Sequence, residues 1–386
     1  MGQCITYCPV FRFSDIMLLV NGASAVLLSL VMVAPPLWDH PGYDAEDSHH
    51  NPAETVITGG RIRQVTQKWQ VSLRASDESC SGFGEPILSA GRLYVSDQLG
   101  ISAYTAETGA VIWRYDWADP GDAETPRLAV SDGLLIAAGG GCNSQSDPDG
   151  EITALDARTG LPRWKLRIDI PVNAAVVDKD LVIVSGGSPS DEDAIVAYHV
   201  RDGRQAWRKA KHLAAGVSAN GTILARLTDG SDVETGASVG IAVTTGAVRW
   251  TRAAEWTAQA ATPGSDRFLV TDKTGTLHAV RVSDGTLDWT AATGDSTLLA
   301  VDRDRVYRVH GRDVEALRVT DGRRAWITRQ KTDGVQPVTA GGLLYAGAAV
   351  LSSAGGTVAG PELSGRVIVA GGRIHQVTNG RLRTLA

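Results

Sequence analysis

The chain has 386 residues, including 43 Gly and 10 Trp, and its 37 Lys and Arg against 43 Asp and Glu give a net charge of −6. Arg is scattered with no long basic stripe, which argues against a nucleic-acid partner. Four Cys in a chain this long argue against a disulfide scaffold.

Residues 1–15 are short and mixed, with Arg12 and Asp15 as their only charged side chains. Residues 16–34 carry no charge and match the roughly 20 apolar residues that a membrane-spanning helix needs. The rival is a secretory signal, whose apolar region usually runs about 7–15 residues. Pro35 and Pro36 follow Ala34 directly, a poor context for cleavage, and no Cys directly follows the run as a lipoprotein would require. The expectation is one N-terminal transmembrane helix, with a cleaved signal as the alternative. Arg12 precedes the run, and Asp39, Asp44, Glu46 and Asp47 follow it. The positive-inside rule then leaves a cytoplasmic tail (1–15) and puts everything after the anchor on the extracytoplasmic side of the cytoplasmic membrane. Residues 35–54, rich in Pro, Asp and His and without periodicity, read as a flexible spacer. Within it His49 and His50 lack further spaced ligands, so they read as solvated and no metal is expected.

From residue 55 to 386 one phrase recurs: Thr or Asp, Gly, three variable residues, then Trp. It ends at Trp113, Trp164, Trp207, Trp250, Trp289 and Trp326, and Trp69 stands where a further copy would end. An alternating apolar run precedes each Gly, as in Ile152–Asp156, which is the period-2 signature of a half-buried strand. The Gly supplies the positive φ of a tight hairpin, and a second strand carries the Trp. A period near 40 residues built from short strands predicts propeller blades, because one small sheet cannot cover its own two faces. The fold class is therefore all-β: a propeller of eight blades, with seven as the alternative. Val56–Thr66 echoes Val369–Thr378, so an N-terminal strand is expected to pair with C-terminal strands and close the ring. The tail lacks a Trp, and Thr384 stands in that slot after Asn379-Gly380.

The run Ala154-Leu155-Asp156-Ala157-Arg158-Thr159-Gly160-Leu161-Pro162-Arg163-Trp164 resembles the repeat of the PQQ-like β-propeller family. A chain of this length with one anchor is more similar to the BamB-type assembly-factor propellers than to the quinoprotein dehydrogenases. The resemblance implies a non-catalytic scaffold that binds an envelope protein or peptide. A degenerate quinoprotein oxidoreductase is the alternative. The quinoproteins hold their cofactor beneath an adjacent Cys pair, which this sequence lacks, so no cofactor and no catalytic residue carries over.

Three candidate constellations remain. The recurrent Trp residues read as structural wedges between blades rather than as a binding surface, since a ligand seldom needs seven equivalent rings. Three consecutive units carry acidic insertions between the same two strands: Asp147, Asp149 and Glu151, then Asp191, Glu192 and Asp193, then Asp229, Asp232 and Glu234. Corresponding loops leave a propeller on one face, so these nine carboxylates form a candidate rim for a basic partner or a cation, against the reading of ordinary solvated loops. Cys80 and Cys142 lie in loops of adjacent units and form a candidate disulfide, against two free thiols.

Overall fold

A computed structural model describes residues 37–386 except 144–147, 231–233, 292–297 and 333. The anchor expected at 16–34 lies outside the described residues, among which no helix is long and apolar enough to cross a membrane. The described strands form eight four-stranded sheets, so the fold is an eight-bladed propeller.

Blades I to VI each take four consecutive strands. Blade II, for instance, contains Arg127–Ser131, Leu134–Gly140, Gly150–Asp156 and Pro162–Ile168. Ring closure is by the two ends of the chain. Gln67–Ser72 supplies the outer strand of blade VIII and runs antiparallel to Arg381–Leu385, with Trp69 opposite Thr384. The first two strands of that blade are Arg366–Ala370 and Arg373–Thr378. Thr384 is thus in the third strand, and the N-terminal echo Val56–Thr66 is not a second copy of the half-unit. Its strand positions are already filled by 366–378. It forms instead a turn and a short 3-10 segment at Ile62–Gln64.

The seven Trp residues occupy outer strands and pack against the following blade. Trp113, Trp164, Trp207, Trp250, Trp289 and Trp326 donate their indole N–H to the carbonyls of Ala157, Val200, Val243, Val282, Val319 and Ser353 at 2.7–3.1 Å. Trp69 does the same to Ala106 at 3.2 Å. Each indole also lies on the turn Gly of the next unit. A Cβ on Gly246, whose φ is +69°, would come 2.9 Å from Trp207. The turn Gly is therefore required twice, for its backbone conformation and for the closeness of the ring.

Blade VII is the exception. Four residues after its turn Gly356 stands Gly360, and a Cβ there would meet Ile62 at 2.7 Å. Ile62 is fully buried in the same cluster as Ile57, Val350, Leu363 and Leu385. The N-terminal segment thus fills the seam between blades VII and VIII that lacks its Trp.

Most of the region expected to be a flexible spacer is packed: residues 38–51 are all buried or half-buried. Residues 38–51 circle the axis as a collar and bond one blade after another. Trp38 exchanges two backbone hydrogen bonds with Leu88 of blade I, and the carbonyl of Asp39 accepts from Val130 of blade II. A ring nitrogen of His40 meets the Val177 carbonyl of blade III at 2.8 Å. Carbonyls of Ala45, Glu46, Ser48 and His49 accept from Ser218, Ala261, Val301 and Thr339 of blades IV to VII. The Asn51 amide donates to Val369 of blade VIII at 2.8 Å. Tyr43, Asp47 and His49 take positive φ, which lets so short a segment curl. Trp38 and Ser48 are fully buried, His49 is buried, and His50 bonds Thr339 at 2.8 Å, so this histidine pair is not solvated.

Candidate functional site: the axial cup and its rim

The inner strands of the ring all start on one face, and the loops joining blades and the loops joining second to third strands emerge there too. The collar bonds the inner strands at or beyond their midpoints and lies across the axis below. The result is a blind cup of about 420 Å³ on that face. Its floor carries His40, Asp44, Asp47 and His49, and its wall carries Glu85, Arg127, Gln336 and Arg366.

The charges of the cup are mostly paired. His40 has Asp39 at 2.7 Å from Nδ1 and the Val177 carbonyl at 2.8 Å from Nε2. An acceptor beside each ring nitrogen favours the doubly protonated ring of His40. Burial alone would lower its pKa, but Asp39 and the Val177 carbonyl raise it on balance. Arg366 reaches Glu85 at 3.5 Å and the Phe83 carbonyl at 2.7 Å. Burial raises the pKa of Glu85, against the opposing charges of His49 and Arg366. Asp47 stands 3.5 Å from Nε2 of His49.

Asp44 is held by the N–H and hydroxyl of Ser48 at 3.2 and 3.0 Å. Burial, and then the charge of Glu46, push its pKa up to about 7. A carboxyl raised in the folded state is most stabilising when protonated, so its contribution is present below about pH 4 and is lost as pH rises to about 7. Asp44→Asn cannot ionise. Across that window wild type is expected to lose more than about 1 kcal/mol relative to this variant in urea titrations at successive pH values. Parallel pH profiles would place the Asp44 carboxyl in contact with water.

Around the cup, the acidic insertions resolve into two groups. Asp149 pairs with Arg167 at 3.3 Å and Glu151 with Lys165 at 2.9 Å, both partners coming from the neighbouring outer strand. Exposed pairs of this kind contribute up to about 1 kcal/mol each. Cys142 in the same loop is joined by a disulfide to Cys80 of the loop entering blade I, with Cα atoms 6.5 Å apart. The loops of blades III and IV touch one another, since Asp193 donates its N–H to the Gly230 carbonyl at 3.1 Å. Asp193 is buried at 1% exposure, and Asp191 accepts from Ser188 Oγ at 2.7 Å. Glu192 and Asp229 are exposed. Glu234 opens the strand Glu234–Ala242 opposite Thr228, whereas Asp147 and Asp232 lie outside the described residues. The described carboxylates of these loops, Asp149, Glu151, Asp191, Glu192, Asp193 and Asp229, therefore do not form one uncompensated cluster. Among the described residues no group of three or more His, Cys, Asp or Glu could hold a metal ion.

A family model described as "Outer membrane protein assembly factor BamB" matches residues 97–251 and 236–383. The chain belongs to this PQQ-like propeller family. Among curated relatives, methanol dehydrogenase [cytochrome c] subunit 1 of Methylorubrum extorquens is 24% identical over 44% of this chain and 29% of its own length. The outer membrane protein assembly factor BamB of Vibrio cholerae is 28% identical over 31% of each chain. The match thus spans under a third of either relative. The crystal structure of BamB from Moraxella catarrhalis superposes with a TM-score of 0.61 at 21% identity, covering 83% of this chain and 97% of that one. That likeness concerns the fold.

The dehydrogenase kinship raises the question of a quinone cofactor, and the cup of this BamB-type propeller does not fit one. Among the described residues no Trp, Tyr or Phe ring lines it to stack on a planar quinone. No two Cys are adjacent in the chain. Asp44, Asp47 and Glu85 would face the carboxylates of the quinone, and the collar fills the axis beneath. The collar escaped sequence reasoning because each of its residues meets a different blade, which erases any period.

Proposed function

We propose that this propeller is a non-catalytic binding scaffold for envelope proteins or peptides, acting in assembly or organisation of the envelope. Residues 16–34 would anchor it in the cytoplasmic membrane with the propeller on the extracytoplasmic side. The observation that carries the reading is the self-filled axis, which leaves a cup unsuited to the quinone of the catalytic relatives. Kinship with an assembly factor points the same way, and the Cys80–Cys142 disulfide suits an oxidising compartment. Open outer strands offer backbone edges for strand addition by a partner.

The second reading, a quinoprotein oxidoreductase, is favoured by the similarity to methanol dehydrogenase and by a polar cavity on the axis. One set of measurements separates the two. Crosslinking in intact cells, followed by membrane fractionation, is expected to recover the chain with membranes and bound to an envelope protein. Titration of the purified protein with PQQ and calcium is expected to give no saturable binding. Saturable quinone binding would overturn the scaffold reading, and recovery in the soluble fraction would overturn the anchor.

A further inference from the structure

Charges of both signs line the cup, and two of them are not neutralised by each other. Arg127 opens the inner strand of blade II, and its one hydrogen bond among the described residues runs from Nη1 to the Val172 carbonyl at 3.3 Å. No carboxylate lies within ion-pair distance of it among the described residues, and four of its five N–H donors are left over. Burial lowers its pKa, and the more distant charges of Glu124 and Asp47 offset this only in part. On the floor, Asp47 keeps a solvent-accessible carboxylate, 40% exposed, whose one ion-pair approach among the described residues is His49 at 3.5 Å. Gln336 commits its amide nitrogen to the Leu299 and Pro337 carbonyls, which leaves Oε1 as an acceptor in the wall. The inner strand of blade IV shifts register between Ala214 and Ser218, which puts the peptide groups of Ala215 and Gly216 at the wall outside the ladder. A volume of about 420 Å³ lies within the range of small-ligand pockets, about 300–1,000 Å³.

We propose that the axial cup binds a small zwitterion carrying an α-ammonium and a carboxylate, with Arg127 receiving the carboxylate and Asp47 and Gln336 receiving the ammonium. Neither a simple anion nor a simple cation answers both ends of this arrangement. A free amino acid and a short peptide both present it. The proposal stands apart from the scaffold role, because a chain that captures no partner still has the cup.

The test is calorimetric titration of the full chain with alanine, dialanine, propionate and ethylamine. Saturable binding is expected for alanine or dialanine, and at least about tenfold weaker binding for the two singly charged probes. Preference for alanine would assign the cup to free amino acids, and preference for dialanine to peptide ends. Arg127→Gln is expected to weaken the preferred zwitterion at least about tenfold. If that variant does not fold, Arg127→Lys keeps the charge but loses the planar fork, and weaker binding is again expected. Asp47→Asn is expected to weaken the zwitterion and spare propionate. Absence of saturable heat with both zwitterions, equal affinity for propionate, or wild-type affinity in the folded Arg127 variant would overturn the proposal.

Discussion

Replacing Trp207 by Ala is expected to lower stability by ~3–5 kcal/mol, the usual cost of emptying a large aromatic site. The side chain is 9% exposed and belongs to the cluster between blades III and IV, with Ile183, Ile195, Ile223 and Ile241. Removing it leaves a cavity at a seam and strips the Val243 carbonyl of its indole donor at 2.7 Å. Neighbours cannot collapse into the space, because Gly246 and its turn are fixed by a positive φ. Urea unfolding gives the number directly. A midpoint equal to wild type would mean that the ring reaches solvent and holds no seam.

The double replacement Cys80→Ala, Cys142→Ala is expected to cost about 4 kcal/mol, since the bond closes a chain segment spanning 62 residues. The loss should also be local. Cys80 N–H reaches the Pro120 carbonyl at 3.3 Å, and Asn143 N–H reaches Asp122 at 2.7 Å. The bridge therefore clamps the loop entering blade I to the insertion of blade II, with the loop between blades I and II bonded to both. Limited proteolysis should cut the variant first near residues 117–126. Equal stability of the wild-type protein under oxidising and reducing conditions would show that the bridge does not hold these loops in solution.

How far sequence reaches into this fold depends on what each residue answers to. Trp113 through Trp326 and their turn Gly residues were legible because one requirement, an indole lying on a Cβ-free turn, repeats in every seam. Blade VII was not, since its slot holds Gly360 and the substitute Ile62 arrives from the far end of the chain. The ring closure was visible in outline, but the strand that performs it is Gln67–Ser72 rather than the echo upstream. Loop register gathered the acidic insertions between the second and third strands of three consecutive blades. It could not show that Arg167 and Lys165 stand beside Asp149 and Glu151, or that Asp193 turns inward, because those are facts of packing across strands. The cup was out of reach for a related reason. Its floor comes from a segment with no pattern, and its wall from single residues at the starts of several inner strands.

The collar has a further consequence for how the molecule is made. Asn51 reaches Val369 across 318 residues of sequence, and Trp38 to Asn51 need all eight inner strands before every bond exists. During synthesis this segment leaves the ribosome early, yet its complete seat is finished only when blade VIII emerges. Six blades can form locally while it waits. The first-made part of the ring is thus the last to be secured, and contacts of such long range slow the final step. Until then the collar can be seated only on the blades already made, and the cup lacks part of its wall.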